Sequence, residues 1–231
     1  MSAPATLRAV DDLVAVVPVK TFALAKQRLG RTLLPAQREA LARAMLCDVL
    51  EALTGAKGLS TIVVVTADPQ AGALAEAYGA RLLSEPRVRG LNPAVTEAAA
   101  RLAAQRRGGM LVLPSDIPGL SAAEIDRLVA AHPPGRAVSL VPAHDGVGTN
   151  ALLVTPPDAM PFSFGPRSFA LHQANAGEAG LTLRRHAPAD FPGLARDIDQ
   201  PADLAALAAL PPGAHTRRLL AREDFARPVA L

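Results

Sequence analysis

Apolar positions along the chain fall into two patterns that alternate: short unbroken β-branched runs and longer segments with helical spacing. Leu13–Val19 (LVAVVPV) is a continuous apolar run, as expected of a strand covered on both faces. From Pro35 a helix is predicted over 35–53, because Leu41, Met45 and Val49 recur at helical spacing and proline suits a first turn. Thr61–Thr66 (TIVVVT) reads as a second buried strand, and Asp68-Pro69 opens a short helix that Gly79 stops. Arg81–Ser84 is a third strand, followed by a turn-like segment over 85–93 and a helix over 94–106. A fourth strand over 110–113 runs into Pro114-Ser115-Asp116-Ile117-Pro118, and Ser121 with Glu124 forms a capping box for the next helix.

Beyond residue 130 the pattern loosens. Strands are predicted over 137–141, 151–154 and 181–185, with a helix starting near Pro166 and a last helix over 200–210. Strand–helix alternation through the first 140 residues or so implies an α/β parallel sheet with helices on both faces. The second half is expected to add antiparallel pairing. Without a repeat or a linker, one domain over 1–231 is expected, its core over about 13–210. The segment from Thr216 onward, with Arg217, Arg218 and Arg222, reads as a surface tail over 216–231.

Hydrophobic residues make up 50% and charged residues 19% of the chain, which is ample for a core and argues against disorder. Neither a membrane-length apolar run nor a signal-peptide pattern is present. Cys47, the only cysteine, sits at an apolar helical position and rules out an internal disulfide, so a cytoplasmic location is expected. The net charge of +3 points to anionic partners, but only 3% of residues are aromatic and no basic run occurs. A small multiply charged anion therefore fits better than nucleic acid. Lysine is scarce, and two of the three (Lys20, Lys26, Lys57) follow the first strand directly. Lysine meets phosphate as a compact point charge, where arginine makes a planar fork.

In an open parallel sheet, ligands bind beyond the carboxyl ends of the strands, which directs attention to the loops there. Lys20, Lys26 and Arg28 follow the first strand and could hold a triphosphate or simply form a solvated basic turn. Asp116 stands beyond the fourth strand and suits Mg²⁺, which takes one or two carboxylates with substrate phosphates. Its other reading is a helix cap, a task Ser121 already fills. Asp197-Ile198-Asp199 puts two carboxylates on one side if extended, unless Asp199 caps the helix near Pro201. Gly90-Leu91-Asn92 could read a purine edge or a ribose, or be a turn. Thr149 in Gly148-Thr149-Asn150, and Gly165 and Ser168 in Gly165-Pro166-Arg167-Ser168, offer amides and hydroxyls suited to a carboxylate, or plain loop chemistry. Neither GxxxxGK[ST], GxGxxG nor GxSxG occurs, and the five histidines lack zinc spacing.

Taken in order, Val17-Pro18-Val19-Lys20, Ala25-Lys26-Gln27-Arg28-Leu29, Gly90-Leu91-Asn92, Pro114-Ser115-Asp116-Ile117-Pro118, Gly165-Pro166-Arg167-Ser168 and Asp197-Ile198-Asp199 resemble the 2-phospho-L-lactate guanylyltransferase family of deazaflavin coenzyme F-420 biosynthesis. The resemblance implies a three-layer α/β, Rossmann-like fold of the nucleotide-diphospho-sugar transferase type, with a mostly parallel mixed sheet. It implies Mg²⁺-dependent transfer of GMP from GTP to a small phosphorylated carboxylic acid, releasing pyrophosphate. The acid would be 2-phospho-L-lactate, phosphoenolpyruvate or 3-phospho-D-glycerate. By motif, Lys20, Lys26 and Arg28 would hold the triphosphate, with Lys20, Lys26 and Asp116 central to catalysis. Gly90 and Asn92 would contact the nucleoside. Asp116, Asp197 and Asp199 would bind Mg²⁺, and Thr149, Gly165 and Ser168 the acceptor's carboxylate. A molybdenum-cofactor or sugar-phosphate nucleotidyltransferase and a non-catalytic GTP-binding module are the alternatives. A homodimer is compatible with the chain but not specified by it.

Overall fold

A computed structural model describes residues 12–84, 90–207, 213–222 and 225. Its strands are β1 (Leu13–Val19), β2 (Thr61–Thr66), β3 (Arg81–Ser84), β4 (Gly109–Val112), β5 (Ala137–Pro142), β6 (Thr149–Thr155) and β7 (Thr182–Arg185). The helices are α1 (Pro35–Gly55), α2 (Pro69–Ala77), α3 (Leu91–Ala104), α4 (Ala122–Ala130), α5 (Ser168–Glu178), α6 (Pro192–Ala195), α7 (Pro201–Ala206) and α8 (Ala214–Leu220). All seven strands join one sheet in the order β3-β2-β1-β4-β6-β5-β7.

Pairing is parallel from β3 through β4 and between β5 and β7, while β6 runs against both its neighbours. The reversal follows from the short connection between β5 and β6, since a parallel pair needs a long crossover. Asp145 closes that connection by accepting from Val147 N–H (2.8 Å) and Gly148 N–H (3.2 Å).

Because strand side chains alternate, β1 feeds two cores. Leu13, Ala15 and Val17 pack with α1, α2, α4 and α6 on one face, and Val14 and Val16 pack with α3 and α5 on the other. These helix–sheet–helix layers make the fold α/β, as expected. A third cluster joins Leu29 and Leu33 of the loop after β1, Leu41 and Met45 of α1, and Ile198 and Leu207. It ties the loop after β1 to the Asp197–Asp199 segment. The Ser121–Glu124 capping box forms at α4 as expected.

Three expectations need correction. Helix α3 begins at Leu91, not at residue 94, because Pro93 is tolerated in a first turn where its missing N–H is an orphan anyway. The helix expected near Pro166 begins at Ser168, after Arg167 takes a left-handed backbone. The segment from Thr216 is not a plain surface tail, because it starts inside α8. Buried Asp48 of α1 accepts from His215 N–H and Thr216 N–H, both at 2.9 Å, and so fastens the start of α8 onto α1. Thr216 is fully buried, while Arg217 and Arg218 are exposed. Residues 85–89 of the expected turn, 208–210 of the expected last helix and 226–231 of the tail lie outside the described residues. Among the described residues, no helix is long and apolar enough to cross a membrane.

Candidate active site

The strand order reverses between β1 and β4: β2 and β3 lie on one side of β1 and the remaining strands on the other. At such a switch point the outgoing loops part and leave a crevice beyond the carboxyl ends. A cavity of about 510 Å³ opens there, lined among others by Lys20, Lys26, Arg28, Gly90, Asp116, Thr149, Phe164 and Asp199. That volume suits a small organic ligand.

One wall is acidic and basic together. Lys26 takes a left-handed backbone (φ 53°) between two short 3-10 turns, and its Nζ is buried between two carboxylates. It donates a close hydrogen bond to Asp116 Oδ2 and a second, 3.1 Å long, to Asp199 Oδ1. Arg28 donates to the other oxygen of Asp199, also at 3.1 Å. Burial alone would lower the Lys26 ammonium, but the Asp116 and Asp199 charges outweigh it and hold the group above its ordinary range. Asp197 shares this corner. Burial first, and then the Asp116 charge, push its carboxyl up, against the donation it receives from Asn150 Nδ2 at 3.1 Å. Residues 90 and 173 positions apart thus meet. The junction is the backbone bond from Ile198 N–H to the Asp116 carbonyl (3.0 Å), with the fully buried Ile198 side chain anchored in the third core cluster.

Asp199 does not cap α7. Gln200 holds the cap position, and Asp203 Oδ2 accepts from Asp199 N–H (2.9 Å) and Gln200 N–H (2.7 Å), which leaves the Asp199 carboxylate free for Lys26 and Arg28. Lys20 lines the cavity with no partner among the described residues. Gly90, at φ +98°, is the N-cap of α3 and turns the helix start towards the cavity, a backbone shape that a side chain would strain.

The opposite wall differs from expectation. Asn92 does not present a free amide to a nucleoside: its Nδ2 donates to Phe164 O (3.0 Å) and its Oδ1 accepts from Phe164 N–H (2.7 Å). An asparagine amide suits a backbone edge as well as a base edge, and here the backbone takes it. Thr149 lines the cavity. Gly165 (φ +125°) and Ser168 do not line it; they shape the turn into α5, where Ser168 N–H donates to Gly165 O (3.1 Å).

Several supporting residues escaped the sequence reading. Asp68 accepts from Phe22 N–H (2.8 Å) as well as from the start of α2, which clamps the loop after β1. Its place before Pro69 signalled only the cap. His144 lies near Asp197 and Asp203, at 3.9 and 3.8 Å, and fully buried His172 bonds Thr149. Nothing local in the sequence marks either histidine.

The fold and this cavity define a doubly wound α/β protein that takes a small ligand beyond the carboxyl ends of its strands. In line with that, a protein from Desulfovibrio desulfuricans G20 assigned to the nucleotide-diphospho-sugar transferases has the same fold, with a TM-score of 0.67 at 15% identity, covering 94% of this chain and 91% of its own. The family model described as "Guanylyl transferase CofC like" matches residues 13–226, and the chain belongs to that family. A phosphoenolpyruvate guanylyltransferase of Conexibacter woesei is 42% identical over 89% of this chain and 94% of its own length. A 3-phospho-D-glycerate guanylyltransferase of Colwellia psychrerythraea is 38% identical over 84% and 90%.

Proposed function

We propose that this chain transfers GMP from GTP to the phosphate of a three-carbon phosphorylated carboxylic acid: phosphoenolpyruvate, 3-phospho-D-glycerate or 2-phospho-L-lactate. The observation that carries the proposal is the junction of Lys26 with Asp116 and Asp199, beside Asp197, inside the cavity beyond β1 and β4. An oxygen of the acceptor phosphate forms the new bond to the α-phosphorus of GTP, and the bond to the β-phosphate oxygen breaks. Pyrophosphate leaves with that electron pair. The attacking group is already an anion, so no protein nucleophile is needed, and catalysis rests on alignment and charge neutralisation.

Lys20 and Lys26, with Arg28, would hold the triphosphate, and the start of α3 at Gly90 favours negative charge through the helix dipole. Thr149, with the turn at Gly165 and Ser168 behind it, would take the acceptor's carboxylate. Asp116, Asp197 and Asp199 would hold Mg²⁺ as all-oxygen donors, and the buried Lys26 ammonium between two of them stands where positive charge is already collected; their oxygens are spread too widely to close on one ion as they stand, so binding would draw them together. When bound, Mg²⁺ would supply charge neutralisation at the phosphates. A role in F-420 biosynthesis and a cytoplasmic location belong to this same reading.

Incubating the purified chain with GTP, Mg²⁺ and each of the three acids tests it. Mass spectrometry should find a guanosine diphosphate ester of one acid, with one pyrophosphate released per product. GTP binding without pyrophosphate release for any acid would leave only a nucleotide-binding module.

A further inference from the structure

His172 is fully buried on α5, and both its ring nitrogens are engaged. Nε2 receives the backbone N–H of Ser163 at 3.0 Å, and an amide N–H can only donate, so Nε2 carries no proton. Burial lowers the ring's pKa to about 4, so at neutral pH it holds a single proton. That proton sits on Nδ1, which faces Thr149 Oγ1 at 3.0 Å. The threonine oxygen therefore accepts, and its own hydrogen must point elsewhere. Thr149 lines the cavity, and no other hydrogen bond of its hydroxyl is found among the described residues.

The same ring braces the neighbouring wall. Phe164, whose backbone Asn92 grips, meets the His172 ring edge-on with centroids 4.6 Å apart. Asn175, also on α5, donates to Ser163 Oγ (3.0 Å) and Pro161 O (2.9 Å), so the segment that donates to Nε2 is itself held. Moving the proton to Nε2 would set two donors against each other at Ser163, and turning the ring over would put carbons where both nitrogens now stand, so the tautomer is locked.

We propose that His172 is a positioning residue that fixes the Thr149 hydroxyl as a hydrogen-bond donor into the cavity, selecting an acceptor substrate that presents a carboxylate oxygen at that point. The inference rests on the reading of the cavity as the site for a phosphorylated acid. A freely turning threonine hydroxyl could spend its one hydrogen on the histidine; this one keeps it for a ligand, while one of its two lone pairs is already taken, so a ligand oxygen that accepts is favoured there over a group that donates.

Two conservative variants separate the ring's two bonds. In His172→Gln the longer amide reaches the Nε2 position and can accept from Ser163, but Thr149 loses its donor. In His172→Asn the shorter amide keeps a donor at the Nδ1 position and gives up Ser163. The expectation for His172→Gln is a KM for the acid raised about tenfold, with KM for GTP and kcat within about twofold of wild type. His172→Asn should restore the acid's KM to within about threefold. Thr149→Val should raise it at least as much as His172→Gln, and the double variant should lose nothing further.

An unchanged acid KM in His172→Gln, or multiplied losses in the double variant, overturns the inference while leaving the transferase reading intact. If Thr149→Val leaves the acid's KM unchanged, the carboxylate site itself is misassigned and both fall. A measurement on the wild-type chain backs these up should a variant fold poorly. Nitrogen-15 spectra of histidine-labelled protein should report His172 protonated at Nδ1 and bare at Nε2; the reverse tautomer overturns the proposal.

Discussion

Replacing Lys26 by methionine keeps the length of the side chain and removes its charge. In the wild type the side chain is 6% exposed, and it faces carboxylates that are 24% (Asp116) and 41% (Asp199) exposed. Stripping one partner from a fully buried ion pair costs about 3–5 kcal/mol. Here both carboxylates reach solvent and Asp199 keeps Arg28, so solvent screening reduces the figure to about 1–2 kcal/mol. For a chain of this size that corresponds to a melting temperature lower by about 3–6 °C. Three acidic groups then share one corner without their buried cation, so an added divalent ion should bind there more readily than in the wild type. Melting curves with and without millimolar Mg²⁺, lacking nucleotide, should give a larger rise for Lys26→Met than for wild type. Pyrophosphate release should fall by about 10²–10³, as for loss of a group that neutralises transition-state charge. Equal Mg²⁺ shifts in the two proteins, together with unchanged turnover, would refute the reasoning.

Asp116→Asn should drop pyrophosphate release by at least about 10³ with the circular dichroism spectrum preserved, on the scale of losing a transition-state charge contact; appreciable Mg²⁺-supported turnover removes Asp116 from the chemistry. Asp48→Ala deletes both charge-assisted bonds at the start of α8 and should cost about 2–3 kcal/mol in urea unfolding, with turnover per folded molecule unchanged. A loss below about 0.5 kcal/mol would mean α8 is held by other contacts. Burial keeps His132 and His172 neutral, each pKa lowered to about 4, with His186 adding to the effect on His132. An unfolded histidine titrates near ~6.5, so between that value and about 4 the unfolded chain binds protons the folded chain refuses. Stability should therefore fall with falling pH across that window, by about 1.4 kcal/mol per pH unit for each histidine, and these two groups should contribute no slope above it. Urea midpoints over that range should show a shallower slope in His132→Gln; an identical slope contradicts the neutral buried ring.

The elements legible in the sequence were those whose burial leaves a local mark. β1 and β2 have the bounds read from their apolar runs, and Leu41, Met45 and Val49 of α1 are all fully buried. What stayed hidden depends on partners distant in the chain. Antiparallel pairing was foreseen in the second half, but the insertion of β6 between β4 and β5 is a matter of three-dimensional docking. Helix α8 is short and carries two exposed arginines, and its attachment comes from Asp48, 167 positions away from His215. At the site, the short motifs supplied the residue types but not their assignments. An asparagine can serve a base or a backbone, and only the structure gives Asn92 to Phe164. Likewise Asp199 was torn between cap and cavity until Asp203 took over the capping bonds.

A crystal structure of the chain with Mg²⁺ and a GTP analogue whose α–β bridge is a methylene tests the central claim most directly. The account predicts the α-phosphate at the Asp116–Asp197–Asp199 corner, with the ion on those carboxylates and the Lys26 ammonium turned from them to phosphate oxygens. A nucleotide bound with its phosphates away from that corner, and Lys26 still bridging Asp116 and Asp199, would contradict it.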